Sequence, residues 1–285
     1  MKAKKLALLF AGLVSALVTS LHGADTPSVR LTEVEWHGVG CYKIEMLAGT
    51  VYFEKNKGVS GFKSFVDNEG KDWIASYLPP GPKGQYRGFP NAPGNFGHAG
   101  RDSGSTNIIV GDQRSGERVI IESSNKDFRF QYWFFPTHVS IKVLQATNDY
   151  CFLLETVIGG SSEAEDYFVT ADGQKHTPTA EGEFDDFTPE WFYLGDPKAK
   201  NVMFLAKTPD DAAPNENHRQ VLKDKHNMDL FSFGRTGKEE NYKVRGMSGT
   251  EHVCSIGFLS AATPHAEVKR LVEGIMARPF EPAKR

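Results

Sequence analysis

Residues 127–146 read DFRFQYWFFPTHVSIKVLQA, and how they fold decides the rest of the chain. Phe128, Phe130, Tyr132 and Phe134 recur at every second position, with Arg129 and Gln131 between them. After the short break at Pro136-Thr137-His138, Val139, Ile141 and Val143 alternate with Ser140 and Lys142. A period of two sends alternate side chains to opposite faces, so each run predicts a half-buried β-strand. The short connection predicts that the two strands pair as an antiparallel hairpin.

The same signature recurs in both directions. SVRLTEVEW (28–36), CYKIEML (41–47) and TVYFEK (50–55) precede the hairpin. YCFLLETVI (150–158), DYFVT (166–170), WFYLGD (191–196), NVMFLAK (201–207), DLFSFG (229–234) and EHVCSIGFL (251–259) follow it. Strands do not alternate with helices, which excludes a parallel α/β sheet. Only the C-terminus reads as a long helix. There Thr263 offers an N-cap and Pro264 suits the first helical position. Val268, Leu271, Val272, Ile275 and Met276 then fall on one helical face, and Pro279 ends it. Strands with one apolar face must bury it, so the fold class is all-β: a large antiparallel two-sheet β-sandwich with long loops and one C-terminal helix.

At the N-terminus, Lys2, Lys4 and Lys5 precede an apolar stretch from Leu6 to Val18, followed by small and polar residues. That order predicts a secretory signal peptide over residues 1–24, cleaved near Ala24, and a secreted or periplasmic protein. His22 sits where a small residue is preferred, which leaves the exact cleavage position open. The apolar stretch is shorter than the roughly 20 residues a spanning helix needs, so no membrane span is expected after cleavage. Residues 25–285 are then expected to form a single β-sandwich domain. The formal charge is −3, and losing three lysines makes it more negative. An acidic chain without a basic cluster excludes nucleic acid as the expected partner. Cys41, Cys151 and Cys254 each lie in an apolar or strand-like run. Buried, reduced thiols are expected, with one oxidised pair as the alternative. The sequence does not speak to oligomeric state.

TVYFEKNKGVSGFKSFVDNEGKDWI (50–74) gives a strand, a glycine turn, a second strand centred on Phe62 and Phe65, and a DNEGKDW turn. This progression resembles the opening of galactose-mutarotase-like supersandwich domains. Such domains occur in sugar epimerases, glycoside hydrolases and polysaccharide lyases, rhamnogalacturonan-lyase-like ones among them. The resemblance implies a supersandwich-like fold and a polysaccharide or oligosaccharide partner. No catalytic motif of those families matches residue by residue, so the resemblance implies no catalytic residue.

Candidate chemistry concentrates in long segments, at about 79–105, 171–190 and 208–227, of a length that is often functional. The first, PPGPKGQYRGFPNAPGNFGHAGRDSGS, mixes stiff prolines with permissive glycines. It lacks a phosphate-cradling pattern. A lyase acting on a uronate needs a cation for the carboxylate, a base for the α-proton and an acid at the leaving oxygen. Arg101 suits the first task, His98 the second and Tyr86 the third. His218, in the third segment, is the remaining catalytic candidate. Arg87, Asn95, Trp191, Tyr193, Arg219 and Arg235 are candidates for substrate binding. Each of these residues also has a plain structural reading, in loop capping, local ion pairs or core packing. Trp191 and Tyr193 alternate with Phe192, so one set faces the core, and core packing of at least one of the pair is the alternative to sugar contact.

The acidic run AEGEFDDFTPEWFYLGD (180–196) could offer oxygen ligands to Ca²⁺, but it lacks EF-hand spacing and also reads as a solvated loop. His218 and His226 have no standard zinc spacing, so no metal site and no cofactor are expected. Serine hydrolysis is disfavoured because no GxSxG elbow occurs. The reading is therefore an exported carbohydrate-active protein that acts on a polysaccharide, with β-elimination of a uronate-containing glycan favoured over hydrolysis. The rival class is a non-catalytic carbohydrate-binding or cell-surface module. A purely structural export protein is the third.

Overall fold

The computed structural model describes residues 28–56, 61–77, 87–90, 105–177, 185–187, 190–209, 216–221, 228–234 and 247–283, with backbone alone at 185–187 and 216–221. The expected signal peptide lies outside the described residues.

Strands dominate. The first seven are β1 (Val29–Trp36), β2 (Val39–Glu45), β3 (Gly49–Glu54), β4 (Gly61–Asp67), β5 (Phe89–Pro90), β6 (Thr106–Ile109) and β7 (Ser115–Gly116). Next come β8 (Val119–Ser124), β9 (Phe128–Phe134), β10 (His138–Ala146), β11 (Phe152–Thr156), β12 (Tyr167–Thr170) and β13 (Lys175–His176). The last are β14 (Asp185–Phe187), β15 (Trp191–Gly195), β16 (Asn201–Thr208), β17 (Glu216–Val221), β18 (Met228–Phe233) and β19 (Val253–Ser260), followed by helix α1 (His265–Ala277).

The strands form three antiparallel sheets. Their orders are β5-β4-β3-β2-β1-β7, β13-β12-β15-β16-β19-β10-β9-β8-β6 and β11-β18-β17-β14. The diagnostic hairpin is present: β9 and β10 pair from Phe134 opposite Val139 to Phe128 opposite Ala146. Phe128, Phe130, Tyr132 and Phe134 are all buried, as the period of two requires.

The nine-stranded sheet is one layer, and the other two sheets lie side by side against it. Phe53 meets Tyr132 edge-on at 4.8 Å, and Phe65 meets Phe258 at 4.5 Å, joining the six-stranded sheet to one half of the layer. Phe231 of the four-stranded sheet stacks on Phe192 at 5.0 Å, covering the other half. Each ring so buried contributes on the order of 2–3 kcal/mol. One continuous core cluster runs from Val29 to Phe258 through all three sheets.

Strand β5 seams the second layer together. Phe89 pairs with Phe62 of β4, while Gly88 exchanges both backbone hydrogen bonds with Glu155 of β11, each at 3.0 Å. The seam depends on Gly61. Its φ is +90°, and a Cβ there would lie 1.8 Å from the Phe89 carbonyl oxygen. No other residue allows the two backbones to approach this closely.

Three local expectations change. The segments at 171–190 and 208–227 are not uninterrupted loops, because β13, β14 and β17 form within them. Their sequences KH, DDF and ENHRQV lack apolar alternation, and pairing with neighbouring strands decides their conformation. The helix begins one residue late, since Pro264 has ψ 144° and occupies the N-cap itself. Val268, Val272 and Ile275 face the sheet as expected. All three cysteines are free and buried.

Candidate functional site

The register places many strand termini at one end of the sandwich. In the second layer β11 begins at Phe152, opposite the end of β18 at Phe233, and β17 begins at Glu216. Strand β5 runs antiparallel to β11, so the chain leaves Pro90 toward this same end. In the first layer β15 begins, β16 ends and β19 begins together, with Trp191 opposite Ala206 and Thr208 opposite Val253. The layers correspond through Phe192, whose ring lies 5.5 Å from Phe233. Segments 91–104, 210–215 and 235–246 are each joined to a strand at this end. Scaffold ends of this kind are where binding residues concentrate.

Beneath those termini the interior is charged. Lys207 Nζ lies 2.9 Å from Glu190 Oε2, with both side chains buried, and donates to the Pro209 carbonyl at 3.3 Å. The Lys207 amide also donates to the Glu190 carbonyl at 2.8 Å, which fixes the two strands in register. Cys254 stands opposite Lys207, and its thiol is held well above the usual range by burial, against the pull of the Lys207 charge. Two residues earlier, the buried His252 ring lies edge-on to Tyr150 at 6.1 Å, and its Nε2 is 3.7 Å from Glu251. Burial raises the Tyr150 phenol strongly, so it stays protonated, and it donates to the Gly249 carbonyl at 3.3 Å. Buried charges persist only where they are paired or hydrogen-bonded.

Arg87 immediately precedes Gly88 and β5 and is 3 % exposed. Burial pulls its guanidinium below the ordinary value, while the neighbouring Glu155 carboxylate acts in the opposite direction. Beside Arg87 a cross-strand row runs Gly88, Glu155, Leu230, Arg219, and the next row runs Leu154, Phe231, His218, Asp185. Arg219 is therefore three strand spacings from Gly88, about 14 Å.

Tyr86, Asn95, His98, Arg101 and Arg235 lie outside the described residues. His218 and Arg219 are described by their backbone in β17. Trp191 and Tyr193 are on the helix-covered face: Trp191 is 3 % exposed and stacks on His265 at 5.9 Å, and the Tyr193 hydroxyl lies 3.5 Å from His265 Nδ1. Both rings pack toward α1, the alternative the sequence left open for at least one of them.

Sequence reasoning missed the Glu190–Lys207 pair and the His252–Tyr150 contact. The signal was present in Lys207, a lone charge in the apolar run NVMFLAK. It also missed a second buried polar group at the opposite strand ends, where the carboxyl of Asp166 is pushed up to about 8 by burial, with Asp229 and Asp196 adding to the effect. Among the described residues, no three His, Cys, Asp or Glu side chains are grouped to hold a metal ion.

These features define an antiparallel two-layer sandwich with a charged interior at the end where those strand termini gather. No protein-family model matches the chain, and no curated protein matches it. Among solved structures, the crystal structure of HI1317 is similar, with a TM-score of 0.52 over 81 % of this chain and 96 % of that one, at 10 % identity. At that identity the likeness is one of fold. A Paenibacillus xanthan lyase structure aligns at TM-score 0.40 and 10 % identity, over 90 % of this chain and 27 % of that one. This chain thus corresponds to about a quarter of the lyase's length.

Proposed function

We propose that the protein is an exported carbohydrate-active enzyme that binds a polysaccharide across the end of the sandwich where those strand termini gather and cleaves it by β-elimination at a uronate. The observation that carries this reading is the convergence of strand termini there, over the buried Glu190–Lys207 pair. The glycine-rich segment leaves β5 toward that end, and β17, which holds His218 and Arg219, begins there. The spacing of about 14 Å between Gly88 and Arg219 suits a groove that holds a sugar chain.

In this reading Arg101, with Arg219 and Arg235, neutralises the uronate carboxylate, which makes the neighbouring C–H acidic. His98 or His218 removes that proton as the base, and Tyr86 protonates the departing glycosidic oxygen. The C–O bond breaks as a C=C bond forms, so the step needs no oxidant or added water. Asn95 would hydrogen-bond sugar hydroxyls.

The test is a panel of uronate-containing polysaccharides incubated with the purified protein, followed by ultraviolet absorbance of the unsaturated product. Turnover is expected, falling at least about 100-fold in His98→Ala. New reducing ends without the absorbance would indicate hydrolysis. Binding without either signal would leave a carbohydrate-binding module, and no binding across the panel would sink the carbohydrate reading.

A further inference from the structure

The outer face of the six-stranded sheet carries an arrangement to which the proposed reaction assigns no role. Strands β1 and β2 are joined by the tight turn His37-Gly38, with φ of +47° and +79°. The turn sets Trp36 and His37 against rings from two other segments. Trp36 stacks on Tyr52 of β3 at 3.7 Å and 15°. His37 stacks on Tyr77, beyond β4, at 3.7 Å and 13°. The two stacks meet as a corner, with Trp36 at 83° to His37 and at 84° to Tyr77. Trp36 Nε1 donates to Ser64 Oγ at 2.9 Å, which fixes the indole plane.

Simple packing does not account for this corner. A cluster that served only to stabilise the hairpin would bury its rings, yet Tyr77 is 42 % exposed and His37 is exposed beside it. The only α-helix among the described residues packs on β16 and β19, so it does not cover this face. Rings fixed by stacking and a hydrogen bond have lost their freedom before any ligand arrives, which lowers the entropy cost of binding. Trp and Tyr present an apolar face with a polar edge, and a pyranose is matched to that, with its C–H face and ring of hydroxyls.

Charge identifies the ligand further. Beside Tyr52, Lys43 pairs with Glu45 at 2.6 Å, and the Asp72 carboxyl lies close enough to act on both Tyr52 and Tyr77, so the rim offers a donor and acceptors with no excess of positive charge. A rim without excess positive charge favours hydroxyl groups over a carboxylate or phosphate. We propose that Trp36, His37, Tyr52 and Tyr77, with Lys43 and Glu45 at the rim, form a binding site for a neutral pyranose unit of a polysaccharide. It does not depend on the groove's chemistry.

The test is titration of the full chain with neutral oligosaccharides (cello-, xylo-, manno- and galacto-hexaose), read by tryptophan fluorescence and calorimetry. At least one is expected to bind, and Tyr77→Ala is expected to weaken it about tenfold without changing turnover in the groove. His98→Ala is expected to leave this binding unchanged, which separates the two sites. Trp36→Ala should abolish binding, and far-ultraviolet circular dichroism would reveal a variant that had merely lost the hairpin. No binding of any of the four, or equal binding by Tyr77→Ala, would overturn the proposal.

Discussion

The two layers treat their outer faces in opposite ways. On the nine-stranded sheet, Trp191, Phe204 and Ala206 are sealed under Val268, Val272 and Ile275 of α1. The segment after the helix extends the cover, with Phe280 lying 5.2 Å from Trp133 and under the ammonium of Lys142. On the six-stranded sheet, Trp36, Tyr52 and Tyr77 stay partly open. Both faces are aromatic, so aromatic content alone does not distinguish a core from a binding surface. What differs is whether another element completes the burial.

The largest expected effect is on the covered face. Trp191→Ala should cost about 3–5 kcal/mol, because it removes a large ring from a place where sheet and helix cannot close together. Urea unfolding measures this directly. A cost below about 1 kcal/mol would mean that the helix is only loosely docked, and the contrast between the faces would fail.

The covered face also contains a pH-sensitive group. His138 is fully buried against Phe135, with Thr137 Oγ1 3.1 Å from its Nδ1, and burial lowers its pKa to about 4. In the unfolded chain the ring titrates near its ordinary value of about 6.5. The folded state therefore favours the neutral ring, and its stability is intact above pH 6.5 but lost as pH falls through 4. The loss amounts to about 3 kcal/mol. Thermal unfolding across that window should fall more steeply for the wild type than for His138→Gln. Parallel curves would show that the ring is not buried in the way described.

How legible these features were depended on how far apart the cooperating residues lie. The alternation in 127–146 spelled out β9 and β10 because both faces of each strand are set locally. The strand character of β17 was hidden, because ENHRQV acquires it only by pairing with β14 and β18. The open face was hidden for a similar reason. Trp36, Tyr52 and Tyr77 are far apart in sequence, and each reads as an ordinary aromatic in or beside a strand. The Glu190–Lys207 pair needed two strands in register before its partner could be identified. His98 and Arg101 could be singled out from composition, since residue types alone suggested their chemistry. Their geometry could not be, because glycine and proline fix no periodicity.

The smallest expected effect tests the open face most sharply. Tyr77→Ala removes a ring whose one stacked face rests on His37 and which is 42 % exposed. A half-open stacked pair is worth about 0.5–1.5 kcal/mol, so the change in stability should be about 1 kcal/mol or less. That is several-fold below the cost at Trp191, although both substitutions delete a large aromatic. A cost near that of Trp191 would make the corner a small core, and its rings would then be explained by folding alone. A small cost in stability with a large loss in sugar affinity is the combination a binding surface predicts, since there the ring contributes mainly when its exposed face is covered by ligand.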